Sequence, residues 1–257
     1  MGALNGKIAL VIGASSPKGL GEAVARLFAA EGAKVVVTGR KKESVEALAA
    51  DLGGEAIACD LTKEETTIAA IEHCVSTYGK LDIAVNSAGI YIPGAFSEMT
   101  WDSLTMYSNA HFIGPVLFIK HAADAMAKTG GGSIMTMSSL TVEHTGAGTT
   151  GYAASKAATD KAVKQAAVEY GPMNVRVNSL SPGLTPTPMT EQLFAVPTMV
   201  TAFEKETPIG RLPTPEEVAF AALYLADDRC SATGDYIRIS GGGHLRRLPT
   251  MEEMMGA

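Results

Sequence analysis

The sequence predicts an α/β fold, a single parallel sheet of about seven strands with helices on both faces, and three observations carry that expectation. Short runs rich in Val, Ile and Leu alternate with longer amphipathic stretches along most of the 257 residues, the pattern left by repeated strand–helix–strand units. The short runs are apolar almost throughout, as strands covered on both faces should be. No internal repeat and no long linker rich in Ser, Gly or Pro breaks the chain, so residues 1–257 are expected to form one domain.

In chain order, the first strand is Ile8 to Ile12, directly ahead of a glycine-rich segment. A helix over Leu20 to Glu31 follows, its pattern opened by Glu22-Ala23-Val24-Ala25-Arg26-Leu27-Phe28. Lys34 to Thr38 and Glu55 to Ala58 are the next strands, separated by a helix over Ser44 to Leu52. Thr62 to Tyr78 is helical and leads to the strand Ile83 to Asn86. A long helix from Trp101 to Lys128 carries Leu104, Tyr107, Phe112, Ile113, Val116, Leu117, Phe118, Ile119 and Met126, an apolar surface too broad for one sheet to cover. Its second face needs a partner, and a homo-oligomer is expected. The strand Ser133 to Met137 precedes an alanine-rich helix over Tyr152 to Tyr170, and Arg176 to Ser181 is the sixth strand. Six prolines then punctuate Pro182 to Pro213, a loop with short helices that reads as a lid over about 184–213. A helix over Pro215 to Ala226 and the strand Tyr236 to Ile239 complete the pattern.

Lysine and arginine number 21 against 27 acidic residues, a formal net charge of −6. A broad phosphate-neutralising surface is not expected, and nucleic acid is excluded as a partner. The longest apolar stretches, Lys7 to Gly13 and Val218 to Ala226, fall far short of the roughly 20 residues of a spanning helix, so no membrane segment is expected. The run at Ile8 is too short, and too closely followed by glycines, for a secretory signal. Gly6 stands where N-myristoylation needs Ser or Thr. Cys59, Cys74 and Cys230 are odd in number and widely spaced, fitting neither a disulfide framework nor a metal site. A reducing cytoplasm is the expected compartment.

Directly after the first strand comes Gly13-Ala14-Ser15-Ser16-Pro17-Lys18-Gly19-Leu20-Gly21. Between a strand and a helix, glycines let the backbone turn tightly and let a pyrophosphate approach amides at a helix N-terminus, where the dipole favours negative charge. A dinucleotide is the expected ligand. The end of the second strand selects which one, because an acid there accepts from a ribose hydroxyl while a basic residue pairs with a 2′-phosphate. The chain reads Val35-Val36-Val37-Thr38-Gly39-Arg40, with no acid and a guanidinium suited to phosphate. Lys18 is expected to add a second positive charge on the same side, and NADPH is the expected cofactor.

Farther along, Ser138-Ser139 closes the fifth strand and Tyr152-Ala153-Ala154-Ser155-Lys156 opens the next helix. A tyrosine and a lysine at i and i+4 share one helical face. The ammonium is expected to stabilise the phenolate and move its pKa from about 10 toward neutrality. Ser139 can donate a hydrogen bond to a carbonyl oxygen as negative charge develops there.

With these residues in this order, the sequence resembles the short-chain dehydrogenase/reductase family over about Gly6 to Gly243. The resemblance rests on the glycine loop, Asp60-Leu61, Asn86-Ser87-Ala88-Gly89, Ser139, Tyr152, Lys156, and Pro182-Gly183 followed by Thr187. It implies a single Rossmann-type domain that holds NADP(H) through Gly13, Ser15, Ser16, Lys18, Gly19, Leu20, Gly21 and Arg40. Asp60 and Leu61 would meet the adenine, Asn86, Ala88 and Gly89 would line the cofactor, and Pro182, Gly183, Thr185 and Thr187 would hold the nicotinamide end. Tyr152 would be the proton donor in reduction and the base in oxidation, with Lys156 on the nicotinamide ribose. Dimers or tetramers are implied as well.

The chain departs from the family pattern at four places. Five residues, where three are usual, separate Gly13 and Gly19. His111 stands where an asparagine completes the catalytic tetrad; it either packs inside the long helix or orders the water linking Lys156 to solvent. Ser240-Gly241-Gly242 replaces an acid before two glycines, and 244–257 has no family counterpart. Within that tail Met251, Met254 and Met255 either cap a pocket or lie disordered or on the surface. The lid offers Met189, Leu193, Phe194, Val196, Met199, Val200 and Phe203, so a hydrophobic ketone or secondary alcohol is the expected substrate. Two other readings stand beside it. One is a 3-oxoacyl-[acyl-carrier-protein] reductase, which needs a basic docking patch such as Arg211, Arg246 and Arg247; the other is a cofactor-sensing binding module without turnover, to which only His111 points.

Overall fold

Seven parallel strands, β1 (Ile8–Ile12), β2 (Lys34–Gly39), β3 (Glu55–Ala58), β4 (Ile83–Asn86), β5 (Gly132–Met137), β6 (Val175–Pro182) and β7 (Tyr236–Ile239), form one sheet in the order β3-β2-β1-β4-β5-β6-β7. The structure is a computed structural model and describes residues 2–256; Met1 and Ala257, the ends of the expected domain, lie outside the described residues. Helices α1 (Leu20–Ala30), α2 (Glu43–Asp51) and α3 (Glu64–Tyr78) connect the first four strands. β1 shows why the strands read as unbroken apolar runs. Ala9 and Val11 join one core cluster and Ile8, Leu10 and Ile12 the other, so both faces of the strand are covered. The first cluster holds Val24, Ala25 and Phe28 of α1. Burying a side chain such as Phe28 contributes about 2–3 kcal/mol.

The chain winds outward from β1 to β3, returns to β4 beside β1, and winds the other way to β7. A crevice therefore opens at the carboxyl ends of β1 and β4, where loops leave in opposite directions. The expected long helix is interrupted: α4 (Trp101–Ser108) runs through a π-helical turn at Asn109–Ile113 into α5 (Gly114–Ala127). That turn delivers His111 to the interior, where it is buried. A 21-residue helix, α6 (Thr150–Tyr170), links β5 to β6. α5 and α6 cover one face of the sheet with Phe118, Ile119 and Val163, while α9 (Pro215–Ala226) packs beside α1 on the other.

The lid contains α7 (Glu191–Phe194) and α8 (Pro197–Lys205). Within the tail, Met251 to Met255 form a short helix with Met251 and Met255 on the surface. α10 (Met251–Met255) lies on α8, with Thr198 Oγ1 donating to the Met254 carbonyl at 2.9 Å. Arg247 joins Glu206 at 3.0 Å to Glu253 at 2.6 Å. Leu248 abuts Gly146. Among the described residues no helix is long and apolar enough to cross a membrane.

Candidate active site

A cavity of about 690 Å³ sits in the crevice, lined by Gly13, Ser15, Ser16, Gly19, Leu20, Arg40, Asp60, Leu61, Ala88, Gly89 and Thr187. Gly13 has φ +84° and a Cβ there would lie 2.5 Å from the Ala88 nitrogen. Gly21 opens α1 so close to the loop that its Cβ would meet the Gly13 carbonyl oxygen at 2.5 Å. The two extra loop residues, Pro17 and Lys18, bulge outward and are exposed. Lys18 takes a left-handed φ of +61° and its N–H donates to Glu22 Oε2 at 2.6 Å. Arg40 is part of the cavity lining, and exposed Lys18 stands outside it, next to the lining residues Ser16 and Gly19.

Asp60 accepts from the Thr62 N–H at 3.1 Å and hydroxyl at 2.7 Å. Burial opposes its charge, but Thr62 with Lys63 and Arg40 outweighs that and holds the carboxyl below its usual range. Asn86 is buried and its Oδ1 accepts from the Ala88 N–H at 3.0 Å, shaping the turn rather than lining the cavity. Pro182, Gly183 and Thr185 likewise brace from behind. The Gly183 N–H donates to the Ile239 carbonyl at 2.9 Å, and Thr190 Oγ1 donates to the Thr185 carbonyl at 2.6 Å. Thr187, Pro188 and Met189 reach the cavity from that segment. Trp101, Asp102, Thr105 and Met106 form a wall that sequence reasoning missed; Thr100 caps α4, yet no sequence signal says which face that helix presents. The lining fits a nicotinamide dinucleotide, with close backbone at one end of the loop, a guanidinium at the second strand, and Gly89 between cavity and catalytic cluster. A Cβ on Gly89 would sit 3.7 Å from Lys156 Nζ and 3.2 Å from His111 Nε2.

The catalytic cluster joins the end of β5 to α6. Lys156 is buried and its Nζ donates to the Met137 carbonyl at 2.6 Å. Burial lowers its pKa to about 8, with Asp160 acting in the opposite direction. Tyr152 stacks edge-on against Tyr91 and His111, with ring centroids at 5.3 and 5.2 Å. Burial pushes its phenol up to about 12, against the lowering influence of the Ser139 hydroxyl. The expected shift toward neutrality is thus reversed. The ammonium lies 5.8 Å from the ring centroid and is tied to a carbonyl, and desolvation of the phenolate wins. A neutral phenol is the proton-loaded form that a carbonyl oxygen needs as hydride arrives. Ser139 is held in place by Thr141, whose N–H and hydroxyl donate to its Oγ at 3.2 and 2.9 Å.

Of the two readings of His111, packing inside the helix and a relay, its contacts fit the first, as a brace. The Ile90 N–H donates to Nε2 at 3.0 Å, which assigns the ring proton to Nδ1, 3.1 Å from Ser155 Oγ. The Ser155 hydroxyl faces the Gly151 and Tyr152 carbonyls at 2.7 and 2.9 Å. Burial and the Lys156 charge push the imidazole down to about 2, so it stays neutral and takes up no proton near pH 7.

A family model described as enoyl-(acyl carrier protein) reductase matches residues 13–244. Momilactone A synthase of Oryza sativa subsp. japonica is 36% identical over 250 residues, covering 93% of this chain and 90% of that protein. The solved structure of a short-chain type dehydrogenase/reductase from Mycobacterium ulcerans matches with a TM-score of 0.92 at 30% identity, covering 98% of this chain and 94% of that one. A 7 alpha-hydroxysteroid dehydrogenase complexed with NADH and 7-oxo glycochenodeoxycholic acid matches with a TM-score of 0.86 at 34% identity, covering 95% of this chain and 96% of that one.

Proposed function

The chain belongs to the short-chain dehydrogenase/reductase family of nicotinamide-dependent oxidoreductases, and on that premise we propose that it transfers hydride between NADP(H) and a hydrophobic ketone or secondary alcohol. The observation that carries this reading is the meeting of Ser139, Tyr152 and Lys156 behind Gly89, on the far side of which the cavity holds Gly13 and Arg40. The dinucleotide, when bound, supplies or accepts the hydride. In reduction the Ser139 hydroxyl orients the carbonyl oxygen, the neutral Tyr152 phenol protonates it, and the Lys156 ammonium stabilises the phenolate that remains. Oxidation needs the phenolate first, so it gains with rising pH.

Arg40 supports NADPH through bidentate pairing with a 2′-phosphate. Tyr91 beside Tyr152, and Met189 at 3.7 Å from a Gly89 Cβ, support an apolar substrate. The carrier-protein reading is less favoured, because two of the three arginines of its docking patch are paired, Arg211 with Glu217 and Arg247 with Glu206 and Glu253, which leaves exposed Arg246. A binding module without turnover has no use for the proton-loaded phenol. Exposed Leu104, Phe112 and Ile113 offer a face for a second copy, and buried, free Cys59, Cys74 and Cys230 suit a reducing cytoplasm.

Oxidation of NADPH, followed by absorbance across a panel of hydrophobic ketones, tests the reading. Turnover is expected with NADPH ahead of NADH, and Tyr152→Phe is expected to lose about 10³-fold. Arg40→Ala should erase the cofactor preference; a wild-type preference for NADH would overturn the NADPH assignment.

A further inference from the structure

We propose that Asp160 is a positioning residue for proton transfer, its buried carboxylate locking β5 onto α6 and serving as the counter-charge to the Lys156 ammonium. Three consecutive residues at the end of β5 meet three residues of α6. The Met137 carbonyl accepts from Lys156 Nζ at 2.6 Å, the Ser138 hydroxyl donates to Asp160 Oδ2 at 2.5 Å, and Ser139 faces Tyr152. Tyr152, Lys156 and Asp160 follow one another at i, i+4 and i+8, so they share one face of α6. Ser139 is therefore set against Tyr152 by its immediate neighbour's grip on the same helix.

The carboxylate is buried and both of its oxygens are used. Oδ1 accepts from the Ser179 hydroxyl on β6 at 2.6 Å, across the strand from the Ser138 contact. Burial pushes the carboxyl above its usual range, and the two hydroxyl donors with the nearby lysines work against that rise and favour the ionised form. Among the described residues no cation lies within 4.0 Å of it, so its charge is balanced only by Lys156, one turn before it, and by Lys164, one turn after. Isolated buried charge is costly. The groups facing Lys156 are the Met137 carbonyl, Tyr152, the neutral His111 across Gly89, and Asp160. Asp160 is the one anion in that set, and Tyr236 on β7 feels its charge from the other side. The mechanism proposed above leaves Asp160 without any direct task. This inference rests on that mechanism's assignment of Tyr152 and Lys156 as the proton-transferring pair.

The test is Asp160→Asn, which keeps the shape and removes the charge, with one of the two serine hydroxyls turning from donor to acceptor of the new amide N–H. The Lys156 titration is read by NMR of [ε-¹³C]lysine-labelled protein with neither cofactor nor ketone added, and its resonance is assigned with Lys156→Met. Loss of the anion is expected to lower the Lys156 midpoint by about half a pH unit or more. The alkaline limb of kcat should move down with it, and kcat at pH 7.5 should fall about 5-fold or more while KM stays within about 2-fold. A folded Asp160→Asn protein with the wild-type titration and kcat profile overturns the proposal. Should that variant fail to fold, Asp160→Ser decides: it removes the same charge with a smaller polar side chain between Ser138 and Ser179, and a downward shift of the lysine midpoint is again expected, while an unchanged titration overturns the idea. Because the titration needs no turnover, its outcome is separable from a failure to find a ketone.

Discussion

The carboxyl ends of β1 and β5 lie at the same edge of one sheet and are built in opposite ways. At β1 the backbone is the working surface. Gly13 and Gly21 leave no room for a Cβ, and the loop meets its ligand through what the side chains do not occupy. At β5 the working surface is buried polar side chain, with Ser138, Lys156, Thr159, Asp160 and His111 all enclosed. The first arrangement costs little in the folded state, because glycine adopts positive φ freely. The second carries desolvation, visible in a lysine brought down to about 8 and an imidazole to about 2. One site should therefore fail when atoms are added, and the other should become more stable when its functional atoms are taken away.

Gly13→Val breaks the first half of that contrast with the largest effect. The side chain must enter space held by the Ala88 backbone, at a φ of +84° that a β-branched residue resists. NADPH affinity by fluorescence titration is expected to fall about 100-fold or more, with roughly 2–4 kcal/mol of stability lost in urea. Near wild-type binding would show that the loop is not backbone-limited.

Lys156→Met sharpens the second half. The lysine pKa falls from 10.5 to about 8 on folding, so the charged form costs on the order of 3 kcal/mol. The sign follows from the depression: the cost is fully present below pH 8 and fades as pH rises toward 10.5. Losing the bond to the Met137 carbonyl offsets part of the gain, leaving a net stabilisation of about 1–2 kcal/mol at pH 7. Turnover should drop about 100-fold or more in the same protein. Urea denaturation showing equal or lower stability would remove the claim that this site is a stability liability.

The same contrast explains which parts were legible beforehand. A strand such as β1 stands where its apolar run ends, because burial on both faces leaves no polar position to blur the limits. The glycine loop and the Tyr152–Lys156 pair were readable since turn sterics and helical spacing are local properties. The π turn at Asn109–Ile113 was not, because one extra residue per turn hardly disturbs a broad apolar stripe. Nor was the left-handed backbone of Lys18, whose amide donates to the Glu22 carboxylate. Asp160 reads as an ordinary helix-surface acid until β6 brings Ser179 to it. The docking of α10 depends on Arg247 finding Glu206 forty-one positions earlier in the chain, a pairing that no local pattern announces.

His111 gives the smallest and most specific measurement. Its pKa falls from 6.5 to about 2 on folding, so the unfolded chain binds a proton that the folded chain refuses. Stability from this group is whole above pH 6.5 and is lost as pH falls through the window between those two values. The slope is about 1.4 kcal/mol per pH unit once the unfolded ring is charged, or roughly 2 kcal/mol between pH 7 and 5. His111→Asn carries no such proton, and its amide oxygen can take over the Ile90 N–H. The difference in urea stability between the two proteins should shift in favour of the asparagine by that slope as the solution is acidified. A difference that stays constant from pH 7 to 5 would mean that the imidazole titrates in place, and that the brace between Ile90 and Ser155 opens to let a proton in.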